Sequence, residues 1–239
     1  MILTTDAEKR PENKLIQLTE LQAASLPFEI TCLAQKYAPF MDGLSIGYRF
    51  DTTIYRIAVP VHSNGRPFTA ELPVEPTKEE IKNRIITQWN RCFTIAQRFF
   101  KTATDYQQEN WPEQVVFNLH QTAQHTCMAI LRETTGYRST THNLSHLLAL
   151  IENFDMEPSV IFPKLTREET ELFNLLNKAY SEARYKVDYT LPAEKVAILI
   201  NRIKELMSVA ESIYETKLQE LDKHQPFVFS ITTTHETTT

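Results

Sequence analysis

The sequence predicts a mainly α protein, α+β overall: an up-and-down antiparallel bundle of about five helices preceded by a small α/β region. Helix-start signals recur from Thr77 onward, each followed by apolar residues at three- and four-residue spacing. Before that point the chain is punctuated by proline, with seven of its twelve prolines between Pro11 and Pro76, and it carries β-branched stretches instead. At 239 residues and 42% hydrophobic content, the chain can bury one sizeable core or two of unequal size.

The first region, residues 1–75, has its β-branched stretches at Phe28–Leu33 and Thr53–Val61. In the second, Tyr55, Ile57, Val59 and Val61 alternate with Arg56 and Ala58, the pattern of a half-buried strand. Residues 76–223 are expected to form the bundle. Thr77-Lys78-Glu79-Glu80, Asn110-Trp111-Pro112-Glu113 and Thr166-Arg167-Glu168-Glu169 each open with a side chain that can accept from the first turn's free N–H groups. Each places Glu three residues later to reach back, and Pro112 comes early enough that its missing N–H costs little. Ile81, Ile85, Trp89, Phe93, Ile95 and Phe99 give the first helix its apolar face, and Val116, Leu119, Ala123, Cys127 and Ile130 the second. A shorter helix, about Asn143 to Phe154, lies between Gly136 and the break at Pro158 and Pro163. Leu172, Leu175, Leu176, Ala179 and Ala183 mark the fourth, and a last helix starting near Pro192 carries Val196, Leu199, Ile203, Leu206, Ala210, Ile213 and Tyr214. In residues 224–239, Phe227, Phe229 and Ile231 alternate and are expected to add a strand to the first region, followed by a disordered Thr-rich tail. The aromatic set Trp89, Phe93, Phe99, Phe100 and Trp111 has no accompanying basic stripe and is read as core, not as a base-stacking platform.

The net charge of -5 divides into -2 up to Glu75 (7 basic, 9 acidic) and -3 after it (18 basic, 21 acidic), so neither part has the basic excess of a dedicated nucleic-acid binder. Cys32, Cys92 and Cys127 are far apart, without CxxC or metal-ligand spacing, as expected in a reducing cytoplasm. No apolar run approaches the roughly 20 residues of a membrane span, and the start MILTTDAEKRPENK has no signal-peptide core, so a cytoplasmic protein off the membrane is expected.

The stretch from Phe117 to Ile151, FNLHQTAQHTCMAILRETTGYRSTTHNLSHLLALI, combines a His-Gln-x-Ala helix core, a Gly-Tyr turn and Thr-His-Asn-Leu opening the next helix. With the later Glu182-Ala183-Arg184-Tyr185-Lys186-Val187-Asp188-Tyr189, it resembles the HEPN domain family. The resemblance runs from about Thr77 to Leu221 and implies an antiparallel helical bundle, expected to be a homodimer. More loosely, the N-terminal region resembles a degenerate minimal nucleotidyltransferase domain. Active members of that family use a Gly-Ser turn and an Asp-x-Asp strand to hold magnesium; here Leu33-Ala34-Gln35 and Tyr55-Arg56-Ile57-Ala58-Val59 stand in those places, so no nucleotidyltransferase activity is expected.

Catalytic members of the HEPN family are metal-independent ribonucleases whose motif places roughly four to six residues between Arg and His. Such a pair suits RNA cleavage because imidazole can move a proton at the ribose hydroxyl while guanidinium holds the phosphate. Here Arg138 and His142 enclose only Ser139, Thr140 and Thr141, one residue short of that spacing. His142 falls near a helix N-terminus, where free N–H groups would attract phosphate, and Thr134 to Ile151 holds no acidic residue. The bland alternative is that His142 caps the helix and Arg138 solvates a turn. The family's second helix often has Glu after the Ala and a basic residue four positions on, whereas this chain has Gln124 and Met128.

Further candidates for nucleotide or phosphate contacts are His146, His120, Gln121, Arg184 and Lys186, with His125 also on the second helix. Each has a structural alternative: His120, Gln121 and His125 as polar residues on a solvent or dimer face, Arg184 and Lys186 as surface charges beside Glu182 and Asp188. His142 and His146 stand at i and i+4, sharing a helix face, but with no third ligand neither a metal nor any cofactor is expected. The reading that best fits is a non-catalytic binding or interaction module with a cationic pocket for a nucleotide, an RNA phosphate or a protein partner. The alternative is a ribonuclease, the toxin of a toxin–antitoxin pair, with Arg138 and His142 as catalytic residues.

Overall fold

The computed structural model describes residues 1–28, 30–65, 68–182 and 192–223. Arg184 and Lys186, the Phe227-to-Ile231 alternation and the Thr-rich tail lie outside the described residues.

The N-terminal region is a small α/β unit. Strand β1 (Ile2–Thr4) pairs in parallel with β2 (Ala34–Lys36), Ile2 opposite Ala34 and Thr4 opposite Lys36. Parallel neighbours need a long connection, and α1 (Glu12–Ala23) supplies it. Two short helices follow, α2 (Tyr37–Ser45) and α3 (Arg49–Ile57).

Helix α3 corrects the strand expected at Thr53–Val61. Phe50 and Asp51 are buried and Ile54 and Tyr55 half-buried, one helical face, while Thr52 returns its hydroxyl to the carbonyls of Tyr48 and Arg49. The apparent alternation arises because Ile57, Val59 and Val61 stand in solvent at 67%, 82% and 96% exposure, so no buried face selected them. Ala34 and Gln35 of Leu33-Ala34-Gln35, expected as a turn, lie within β2 instead. Both elements that carried the nucleotidyltransferase resemblance are therefore differently folded.

The bundle follows the expected order: α4 (Lys78–Gln108), α5 (Pro112–Thr134), α6 (Leu144–Glu152), the short α7 (Glu157–Val160), α8 (Arg167–Glu182) and α9 (Ala193–Lys223). Thr77 and Glu80 form a capping box on α4: the Glu80 N–H donates to the Thr77 hydroxyl at 3.2 Å and the Thr77 N–H to the Glu80 carboxylate at 2.7 Å. Thr166 and Glu169 repeat it at α8. Substituting Thr77→Ala should lower unfolding stability by about 1 kcal/mol in urea titration, the usual cost of a lost N-cap.

The expected cap at Asn110 is corrected. Asn110 has φ 59 and the Trp111 N–H donates to the Tyr106 carbonyl at 3.1 Å, so these residues close α4. Helix α5 starts directly at Pro112 with no side-chain cap. Trp111 stacks on Tyr106 at the surface, half exposed, and Phe99 and Phe100 are half-buried. Trp89 and Phe93 are core: Trp89 lies between Phe93, at 4.5 Å, and Tyr214 of α9, at 4.4 Å.

Helix α5 is the centre, packed against α4, α6, α8 and α9. It is buried nearly all round despite its polar residues, because several satisfy themselves. Thr122 and Thr126 donate to the carbonyls of Asn118 and Thr122, both at 2.8 Å, and Asn118 donates to Gln114. Leu119, Ala123, Cys127 and Ile130 then meet Leu176 of α8 and Leu199 and Ile203 of α9 in one apolar cluster. No helix among the described residues is long and apolar enough to cross a membrane.

Candidate functional site

The segment between α5 and α6 turns sharply at Gly136, whose φ of +83 only glycine adopts without strain, and a Cβ there would meet Arg49 at 3.2 Å and the Phe50 N–H nitrogen at 3.1 Å. Arg49 fills that space. Its guanidinium donates to the Arg132 and Glu133 carbonyls, at 3.1 and 2.6 Å, closing the C-terminal end of α5 from the N-terminal region. The Tyr48 hydroxyl donates to the Gly136 carbonyl at 2.5 Å.

Arg138 leaves this turn toward the N-terminal region, its guanidinium carbon 4.8 Å from the centre of the Tyr48 ring. It lines a cavity of about 780 Å³ together with Tyr48, Phe50, Tyr137, Gln35 and Asp51. Phe50 and Tyr137 pack ring to ring at 4.9 Å in the same wall. Asp51 is buried, and burial pushes its carboxyl up to about 6, against a hydrogen bond from Gln35. One of its oxygens has no hydrogen-bond partner. It lies so close to the backbone of Gly43 that a Cβ there would sit 1.8 Å from the other. Glu12 and Asp42 line the cavity as well, so Arg138 is a cation in an otherwise acidic wall.

His142 goes elsewhere. Its Nδ1 is 2.9 Å from the Gln124 side-chain oxygen, and because an amide oxygen only accepts, Nδ1 carries the hydrogen. The ring lies flat on Tyr180 of α8, with centroids 3.9 Å apart and planes 9° apart. Burial lowers its pKa, so the neutral ring keeps Nε2 as an acceptor.

The family comparison bears on this arrangement: the HEPN domain family matches residues 89–220, more than half of the chain. The chain belongs to the HEPN family. No curated protein matches it. The match spans α5, the Gly-Tyr turn and α6, and so includes both Arg138 and His142.

Within this HEPN bundle the expected site residues separate. Arg138 and His142 contact different neighbours, one facing the N-terminal cavity and the other α5 and α8. His146 does not share a face with His142, which precedes α6; its Nδ1 is 3.4 Å from the Glu20 carboxylate of α1. The absence of acids from Thr134 to Ile151 is thus offset by a carboxylate from another element.

The α6 N-terminus is also less open than expected. Asn143, not His142, caps it by accepting from the His146 N–H at 3.3 Å, and Asn177 of α8 accepts from the Leu144 N–H at 2.7 Å. His120 is fully buried, its Nδ1 3.0 Å from the Leu176 carbonyl, and burial drops its pKa to about 4. Gln121 is buried too, and His125 stacks on Phe99 at 5.6 Å. None of these three stands on an open solvent face, because α5 is enclosed by its neighbours.

Sequence reasoning missed Tyr48, Asp51, Gln35 and Tyr180. Tyr180 had a usable signal, since it follows Leu172, Leu176 and Ala179 along the inward side of α8. The others come from a region whose contacts depend on tertiary docking, and periodicity does not announce them.

Proposed function

We propose that this HEPN protein is a non-catalytic binding module that holds a nucleoside monophosphate, or the equivalent unit of an RNA end, in the cavity beside Arg138. The observation that carries this reading is the guanidinium of Arg138 over Tyr48 at an aromatic-lined cavity that His142 does not line. Guanidinium binds phosphate in a fork of N–H donors, and the aromatic wall offers a face to a base. Gln35, Asp42 and Asp51 supply acceptors for ribose hydroxyls or an amino group. Three carboxylates facing one guanidinium favour a single phosphate over a triphosphate. Cleavage by the family's Arg and His chemistry would need both groups at one phosphate, and here they have separate partners.

A thermal-shift panel of nucleoside mono-, di- and triphosphates tests the reading. A ligand held at about 100 times its Kd stabilises the native state by about 2.7 kcal/mol. Monophosphates should raise the melting temperature of the wild type, Arg138→Ala should lose that shift, and His142→Ala should keep it. No shift from any nucleotide, or a shift that depends on His142 and not on Arg138, would contradict it.

A further inference from the structure

A second recess, separate from the cavity beside Arg138, lies where the end of α5, the connection from α6 to α7 and the last turns of α9 meet. It is a cleft of about 570 Å³ whose wall includes Glu133, Asp155, Glu157, Glu220 and Lys217, four acids against one lysine. Glu133 is 0% exposed, yet neither of its carboxylate oxygens has a hydrogen-bond partner. A buried carboxyl is costly unless paired, and unsatisfied groups of this kind mark places where something else completes the structure.

We propose that this cleft binds a small organic cation, an aliphatic ammonium or guanidinium compound, with the Glu133 carboxylate as its buried counter-charge. Among the described residues no group of three His, Cys, Asp or Glu is placed to hold a metal ion, which favours an organic cation over an inorganic one. The Thr134 hydroxyl donates to the Ile130 carbonyl at 2.7 Å, so its oxygen remains an acceptor for N–H groups in the cleft, while the Thr135 oxygen already accepts from the Tyr137 N–H at 3.0 Å. Phe154 and Ile213 give apolar contact for a methylene stem.

The free protein stores a proton here. Burial pushes the Glu133 carboxyl up to about 8, with Arg49 and Lys217 opposing the shift and Glu220 adding to it. The charged and titratable groups around Glu133 are Arg49 from α3, Tyr214, Lys217 and Glu220 from α9, Arg132 from its own helix, and Asp155 and Glu157 across the cleft. A bound cation favours the carboxylate, so the O–H bond of Glu133 breaks on binding and its proton passes to solvent.

Calorimetric titration of the full chain with spermidine at pH 7, in two buffers of different ionisation enthalpy, reads affinity and proton release together. Saturable binding with release of about one proton per ligand is expected, because the ion pair forms only with ionised Glu133. Glu133→Gln keeps the side-chain shape and should bind at least about tenfold more weakly with no proton release, the scale on which a lost buried charge partner acts. Glu157→Gln, at the exposed rim, should weaken binding less and leave proton release intact. Agmatine, titrated in parallel, separates guanidinium from ammonium preference. Arg138→Ala should bind both amines as the wild type does, which keeps this result independent of the nucleotide reading. No saturable binding of either amine, or unchanged affinity in Glu133→Gln, overturns the proposal.

Discussion

Glu133→Gln is expected to change stability more favourably at pH 8 than at pH 5, by about 3 kcal/mol. In the unfolded chain this carboxyl gives up its proton near the ordinary value of 4.5, whereas in the folded protein it holds the proton up to about 8. Between those values the unfolded state binds fewer protons, so its ionisation draws the equilibrium toward unfolding and stability falls as pH rises. Gln removes the ionisation and the penalty with it, at nearly the same volume. Urea unfolding at both pH values measures the difference. Equal stability changes at pH 5 and pH 8 would mean that Glu133 has another partner in solution.

The second large effect runs the other way along the pH axis. His120 is enclosed by α5 and α8, and burial holds its pKa near 4, against the ordinary 6.5 of an unfolded chain. Below pH 6.5 the unfolded state takes up a proton that the folded ring refuses. His120 should therefore account for about 3 kcal/mol of stability lost between pH 6.5 and pH 4, and for none of the change above pH 7. His120→Asn offers an amide N–H to the Leu176 carbonyl in place of Nδ1–H. It should be less stable at pH 7 through lost packing, but the acid slope of its unfolding free energy should be shallower by about one proton. An unchanged slope would show that the imidazole already reaches water.

The bundle was legible because its signals are local. Thr77 with Glu80, and Thr166 with Glu169, announce helix starts through hydrogen bonds made within four residues, and both capping boxes formed. The stripe Val196, Leu199, Ile203, Leu206 and Ala210 points inward because one helix face must be buried, and all five are buried. Thr53–Val61 misled for the complementary reason. Its alternation had no buried face behind it, and the chain there is fixed by Phe50 on Tyr137 and by Arg49 on the end of α5, contacts that span most of a hundred positions.

The candidate site was legible as a set of residues and not as an arrangement. Arg138 and His142 lie four positions apart, and that spacing in a turn says nothing about which way each side chain faces. Tyr48 draws the guanidinium to one side, while Gln124 and Tyr180 hold the imidazole on the other. Gln124 is instructive: read from the sequence it was a neutral substitute for an expected acid, and in the fold it fixes the tautomer of His142. Glu133 carried a signal that went unread, an acid three residues after Ile130 and so on the inward phase of the most buried helix.

The separation of Arg138 from His142 is the feature on which the functional reading depends, and RNA cleavage under chelation tests it most directly. Purified wild-type protein should leave single-stranded RNA as intact as the Arg138→Ala and His142→Ala variants do. Metal-independent cleavage by the wild type, lost in both variants, would show that the guanidinium and the imidazole meet at one phosphate after all.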